Sequence, residues 1–197
     1  MNNLTKKQKI RRIVETALML ALSTILSEFA IIKIPAGGSV TIFSQVPMVV
    51  ISYRYGVKWG IFSGLTMGVI QTILGMNNFY YVKGIVAYLA VFMLDYIIAF
   101  GALGLGGMFE KIAKKQPVSL ALGGAVVSVI RFLCHFISGV TVWADYTNGA
   151  KEVCLYSLSY NGGYMLPELI ITVIGCAALG ALFDFKSPDM KILKAKK

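Results

Sequence analysis

Along the chain, long apolar stretches alternate with short polar ones. Six of the apolar stretches read as membrane-spanning helices: Ile13–Ile32, Thr41–Tyr53, Val57–Leu74, Gly84–Phe109, Val118–Val142 and Gly163–Phe183. The second is short. Its helix would rise only about 20 Å against a hydrocarbon core of about 30 Å. Irregular backbone buried in protein must therefore complete that crossing, because lipid cannot satisfy open peptide groups. The preceding IPAGGSV is suited to this, since Pro35, Gly37 and Gly38 break helix and permit tight turns. The expected fold is an all-α, six-helix transmembrane bundle. It would form one domain over residues 1–197, with basic tails at about 1–12 and 185–197.

Composition agrees. Only 14% of residues are charged, 57% are hydrophobic and the mean hydropathy is +0.73, whereas a soluble domain carries about 25% charged residues. A net charge of +10 raises the question of nucleic acid, but the placement of the charge argues for a membrane instead. Six spans put both termini on one side. That side holds Lys6, Lys7, Lys9, Arg11, Arg12, Arg54, Lys58, Lys111, Lys114, Lys115, Lys186, Lys191, Lys194, Lys196 and Lys197. The opposite loops hold only Lys33, Lys83 and Lys151. Such asymmetry places both termini in the cytoplasm of a cell with a plasma membrane to cross, and no nucleic-acid partner is expected. KKQKIRR followed by an apolar run imitates a signal peptide, but the run is too long and lacks a small-residue cleavage site, so it reads as a helix that stays. Cys134, Cys154 and Cys176 are too far apart to suggest a zinc site or a disulfide framework. GALGLGG is not a dinucleotide fingerprint and no Walker A pattern occurs, so ATP binding by this chain is not expected.

Ionisable groups inside a membrane are costly and therefore informative. Five require weighing: Glu28, Asp95, Arg131, His135 and Glu168. Ser128, Arg131, His135 and Ser138 recur at spacings of three and four, forming one polar stripe on an oily helix that must face a bundle interior or a wet cavity. Arg131 is expected to pair with Asp95 or Glu168. Trp143 lies about 12 Å along the axis from His135, a reasonable depth for a pocket opening outward. The last outer loop, TVWADYTNGAKEVCLYSLSYNGGY, concentrates Trp143, Tyr146, Tyr156, Tyr160, Asn161 and Tyr164. A buried carboxylate, an imidazole, aromatic faces and an amide together suit a flat, nitrogen-rich cation. Each residue also has a plainer reading: a histidine bonding a neighbouring helix, a tryptophan in the interfacial belt, or an arginine that is purely structural.

These stretches resemble the thiamine-specific S component, the substrate-binding membrane subunit, of energy-coupling-factor (ECF) vitamin transporters. The resemblance lies in PAGGSV with PMVVISYRYGVKWGIFSGLTMGVIQTILG, in MLDYIIAFGALGLGG, in RFLCHFISGVTVW and in YSLSYNGGYM. It implies a six-helix bundle that captures thiamine from outside, makes or breaks no bond, and needs no cofactor of its own. The family's carboxylate position falls on Asp95, where some members carry the longer glutamate, and its neighbour on Tyr96. The histidine falls on His135, the stacking tryptophan on Trp143, the tyrosine on Tyr156 and the asparagine on Asn161. It also implies partners: a transmembrane coupling subunit that meets Ala17 and Ala21 on the first helix, and two ATPase subunits that supply the energy. Three other readings remain open at this stage: an S component for another vitamin, a proton-coupled carrier using Asp95, Arg131, His135 and Glu168, and a membrane enzyme using His135.

Overall fold

In a computed structural model the chain is described over residues 4–34, 38–144 and 149–193. Pro35, Gly37, Tyr146, Lys194, Lys196 and Lys197 lie outside the described residues. Helix α1 (Lys6–Glu28) starts from a reciprocal cap: the Thr5 hydroxyl accepts from the Gln8 amide, and the Gln8 side chain accepts from the Thr5 amide. The apolar pattern ran on to Ile32, but the helix stops at Glu28. Ala30–Lys33, with β-branched Ile31 and Ile32 at its centre, instead forms strand β1, which pairs antiparallel with β2 (Ser39–Thr41). The fold is thus predominantly helical with one small hairpin, not wholly α.

The second apolar stretch becomes helix α2 (Val46–Tyr55), starting later than Thr41, which sits in β2. Every residue from Val46 to Tyr53 is buried, so α2 is apolar all round because other helices surround it. It forms the centre of the main core with Met67, Leu103, Leu120, Val127 and Cys176. Gly56, at φ 89°, makes the tight turn into α3 (Val57–Leu74). After a 3-10 turn at Met76–Tyr81 comes α4 (Ile85–Leu105), followed by α5 (Gln116–Thr141) and α6 (Ala150–Leu182). Helix α6 begins well before Gly163, so most of what read as the last outer loop is helix. Among the described residues, α3, α4, α5 and α6 are long and apolar enough to cross a membrane, which marks a membrane protein.

Helix α4 is not uniform. Phe92–Ile98 is wound as a π-helix and Ala102–Leu105 as a 3-10 helix. Its carbonyls lie against a glycine stripe on α3. A Cβ at Gly60, Gly64 or Gly68 would come within 2.6, 2.5 or 2.8 Å of the carbonyl oxygens of Gly104, Phe100 and Tyr96 respectively. Only glycine permits this approach, and it fixes the rotation of the segment carrying Asp95 and Tyr96.

The basic ends of the helices gather at one end of the molecule. Arg54 of α2 donates to Glu15 of α1 at 2.6 and 3.1 Å, and to the carbonyls of Phe185, Ser187 and Pro188 at 2.7–2.8 Å. Arg11 reaches Asp189 at 3.1 Å and Lys186 reaches Glu110 at 2.7 Å. The chain segment after α6 is thereby pinned beneath α1, α2 and the end of α4. The hairpin, the 3-10 turn, the end of α5 and the first turns of α6 surround a cavity at the other end.

Candidate substrate-binding site

The π-wound turn of α4 sends its two polar residues in different directions. Tyr96 turns toward α3, where its hydroxyl donates to Gly75 O at 3.2 Å and accepts from Asn78 Nδ2 at 3.1 Å. Asp95 turns toward α5. His135 Nδ1 lies 2.9 Å from Asp95 Oδ1, and the Ser138 hydroxyl donates to Oδ2 at 2.6 Å. Helix α5 ends at Thr141, and the chain folds back far enough for Trp143 Nε1 to come 3.5 Å from the same Oδ2. The axial distance expected between His135 and Trp143 therefore does not separate their side chains: both converge on one carboxylate. A carboxylate only accepts, so the proton of this bond sits on His135 Nδ1. Among the described residues no lysine or arginine lies within ion-pair distance of Asp95.

Helix α6 forms the facing wall. Asn161 Nδ2 donates to Ser157 O at 3.0 Å and lies 3.4 Å from His135 O, while Asn161 Oδ1 accepts from the buried Tyr164 hydroxyl at 2.9 Å. Tyr156 and Tyr160 stack with ring centroids 6.0 Å apart, and the Tyr160 hydroxyl accepts from Gly38 N at 3.0 Å, which ties the wall to the hairpin. These groups enclose a cavity of about 590 Å³, whose lining includes Asp95, Tyr96, His135, Trp143, Tyr156 and Asn161. Its size is that of a small-molecule site. Its floor is polar too. Glu168 Oε1 accepts from Thr41 at 2.9 Å and Ser44 at 3.1 Å, and lies 3.8 Å from Arg131 Nη1. Arg131 also stands over the Phe100 ring at 4.7 Å. Of the two partners expected for Arg131, the fold supplies Glu168.

A profile of the thiamine transporter protein family (Thia_YuaJ) matches residues 13–185. The thiamine transporter ThiT of Bacillus subtilis (strain 168) is 33% identical over 205 aligned residues, covering 98% of this chain and 100% of the relative. The chain belongs to the thiamine transporter family. ThiT of Lacticaseibacillus paracasei is 29% identical over 142 residues, covering 67% of this chain and 68% of that one. A solved structure of ThiT from Listeria monocytogenes has the same fold, with a TM-score of 0.66 at 23% identity, over 87% of this chain and 94% of that one. The thiamine transporter family is one of transporters, not enzymes.

In this member of the thiamine transporter family, all six residues singled out from the sequence for ligand contact line one cavity. Ala17 and Ala21 stand apart from it, exposed on α1. Glu28, which the sequence leaves open between packing and the pocket rim, also lines the cavity. Ser138 had appeared only as part of the polar stripe on α5, and its bond to Asp95 was not foreseen. Nor was the bond of Asn78 to Tyr96. The stripe spacing was the available signal for Ser138, while Asn78 lies in a turn whose course no periodicity reveals. Among the described residues no cluster of histidine, cysteine and carboxylate side chains is arranged to hold a metal ion.

Proposed function

We propose that the chain is the thiamine-binding S component of an ECF transporter, taking thiamine from outside the cell and delivering it to an ATP-driven module. One observation carries this reading: Asp95 faces an aromatic-walled cavity and, among the described residues, has no lysine or arginine within ion-pair distance. The partner that such a carboxylate lacks is a ligand cation. In this reading Asp95 meets the positive charge or the amino group of thiamine. Trp143 and His135 flank the rings, while Tyr96, Tyr156 and Asn161 orient them by hydrogen bonds and contact. The chain crosses the plasma membrane six times with both termini in the cytoplasm, where the basic end gathered around Arg54 lies. Its family membership and the polar cavity favour thiamine over another vitamin, and no step calls for a cofactor.

Titration of the purified chain with thiamine, followed through tryptophan fluorescence, tests the binding claim. Quenching at or below micromolar thiamine, and none with riboflavin, is expected. No response to thiamine would end the proposal.

In the same reading Ala17 and Ala21 let a transmembrane coupling subunit approach α1 closely, and that subunit joins two ATPase subunits. Ala17→Trp should then abolish thiamine uptake in cells while leaving binding to the purified chain unchanged. Normal uptake in that variant would remove the contact from α1.

A further inference from the structure

Asp95 is read above as the anion of the site, yet a carboxylate at the end of one short side chain does not fix its own direction. Three donors surround it, and all three come from α5 or its immediate continuation: His135, Ser138 and Trp143. His135 and Trp143 line the cavity beside Asp95. Ser138 does not. It is fully buried behind the carboxylate, 0% exposed, and makes the shortest bond of the three at 2.6 Å. Its backbone works on the same group of residues. Ser138 O accepts from Val142 N at 2.8 Å and from Trp143 N at 3.4 Å, so it holds the turn that brings the indole back over Asp95. One residue thus sets both the carboxylate and the tryptophan.

From this we infer that Ser138 is a positioning residue for the cation site. Its hydroxyl draws Oδ2 onto α5, which leaves the outer edge of the carboxylate presented to the ligand. The arrangement is matched to aspartate. A glutamate at this position would carry its carboxylate up to about one carbon–carbon bond, ~1.5 Å, further, and with the Ser138 hydroxyl only 2.6 Å from Oδ2 it would crowd the space that hydroxyl occupies. Residues 95 and 138 are therefore a coupled pair, in which the short acid requires the hydroxyl and the long acid requires its absence.

The inference rests on the thiamine reading of the cavity, and a double-mutant cycle separates the two. Thiamine affinity and thermal stability are measured by calorimetry on the purified full chain for the parent, Ser138→Ala, Asp95→Glu and the double variant. Ser138→Ala should weaken thiamine binding by about tenfold to a hundredfold, the range for a lost bond to a charged group, with the chain still folded at the temperature of the titration. The double variant should bind at least tenfold more tightly than Asp95→Glu alone, a coupling expected only of side chains in contact. Binding within twofold of the parent in Ser138→Ala, or simple addition of the two losses, would overturn the inference while leaving the thiamine site standing. If Ser138→Ala does not fold, the comparison of the double variant with Asp95→Glu decides: tighter binding supports the pairing, and equal or weaker binding overturns it. A parent that fails to bind thiamine takes both readings down together.

Discussion

Two carboxylates line the same cavity in opposite electrostatic company. Glu168, on the floor, has the Arg131 guanidinium 3.8 Å away and the hydroxyls of Thr41 and Ser44 on one oxygen. Asp95, on the outer wall, has a histidine, a serine and a tryptophan, and no lysine or arginine among the described residues. Their exposures are similar: the Asp95 side chain is 14% exposed and that of Glu168 is 7%. Burial therefore does not distinguish them; charge compensation does. In the thiamine reading proposed above, the carboxylate paired with an arginine belongs to the architecture, and the one without a lysine or arginine partner is the one that meets the ligand.

The comparison breaks most visibly on the floor. Glu168→Gln keeps the shape but strands the Arg131 charge, and removing one member of a buried pair costs about 3–5 kcal/mol. The expected result is a large fall in thermal stability with thiamine affinity within about threefold of the parent. The reverse pattern, with stability intact and binding lost, would make Glu168 the ligand carboxylate and invert the assignment. Asp95→Asn is the matching change on the outer wall. It preserves acceptor geometry toward His135 while removing the charge, so affinity should fall by about 2–3 kcal/mol with little change in melting temperature. Equal binding by parent and variant in a calorimetric titration would remove the charge role.

The sequence exposed this contrast only in part, and the limits have physical causes. Helix α3 was legible to its ends, because an apolar run bounded by Gly56 and Gly75 has unambiguous stops. The polar stripe on α5 was legible because charged residues on a spanning helix have few tolerable places to point. The start of α6 was hidden. A helix that lines a wet cavity carries Tyr156, Asn161 and Tyr164 where a lipid-facing one would carry leucine, so its pattern imitates a loop. The π-wound turn of α4 was hidden as well, because nothing in its apolar pattern marks it off from an ordinary helix. The partner of Arg131 stayed open because Asp95 and Glu168 lie at almost equal distances along the chain on either side of it. Only the packing of α5 against α6 and the hairpin decides between them.

The smallest expected effect concerns the neutral part of the outer wall. Asn161 presents its amide to the cavity with both ends already engaged: Nδ2 toward Ser157, and Oδ1 toward the Tyr164 hydroxyl at 2.9 Å. Tyr164 is itself buried, so its hydroxyl works on Asn161 and not on solvent. Tyr164→Phe removes that single donor and keeps the ring packed against Tyr160 and the hairpin. A neutral hydrogen bond is worth about 1 kcal/mol, so thiamine affinity should drop about fivefold, well short of the loss at Asp95. The sign of the change is informative in itself. A drop means that the tyrosine holds the amide in the orientation the ligand reads. A rise means that the hydroxyl and the ligand compete for Oδ1, and that Asn161 reads a donor on the ligand edge with the oxygen Tyr164 now occupies. Either way, a loss as large as that of Asp95→Asn would show that the neutral wall, and not the unbalanced carboxylate, dominates recognition, and the contrast between the two carboxylates would lose its functional meaning.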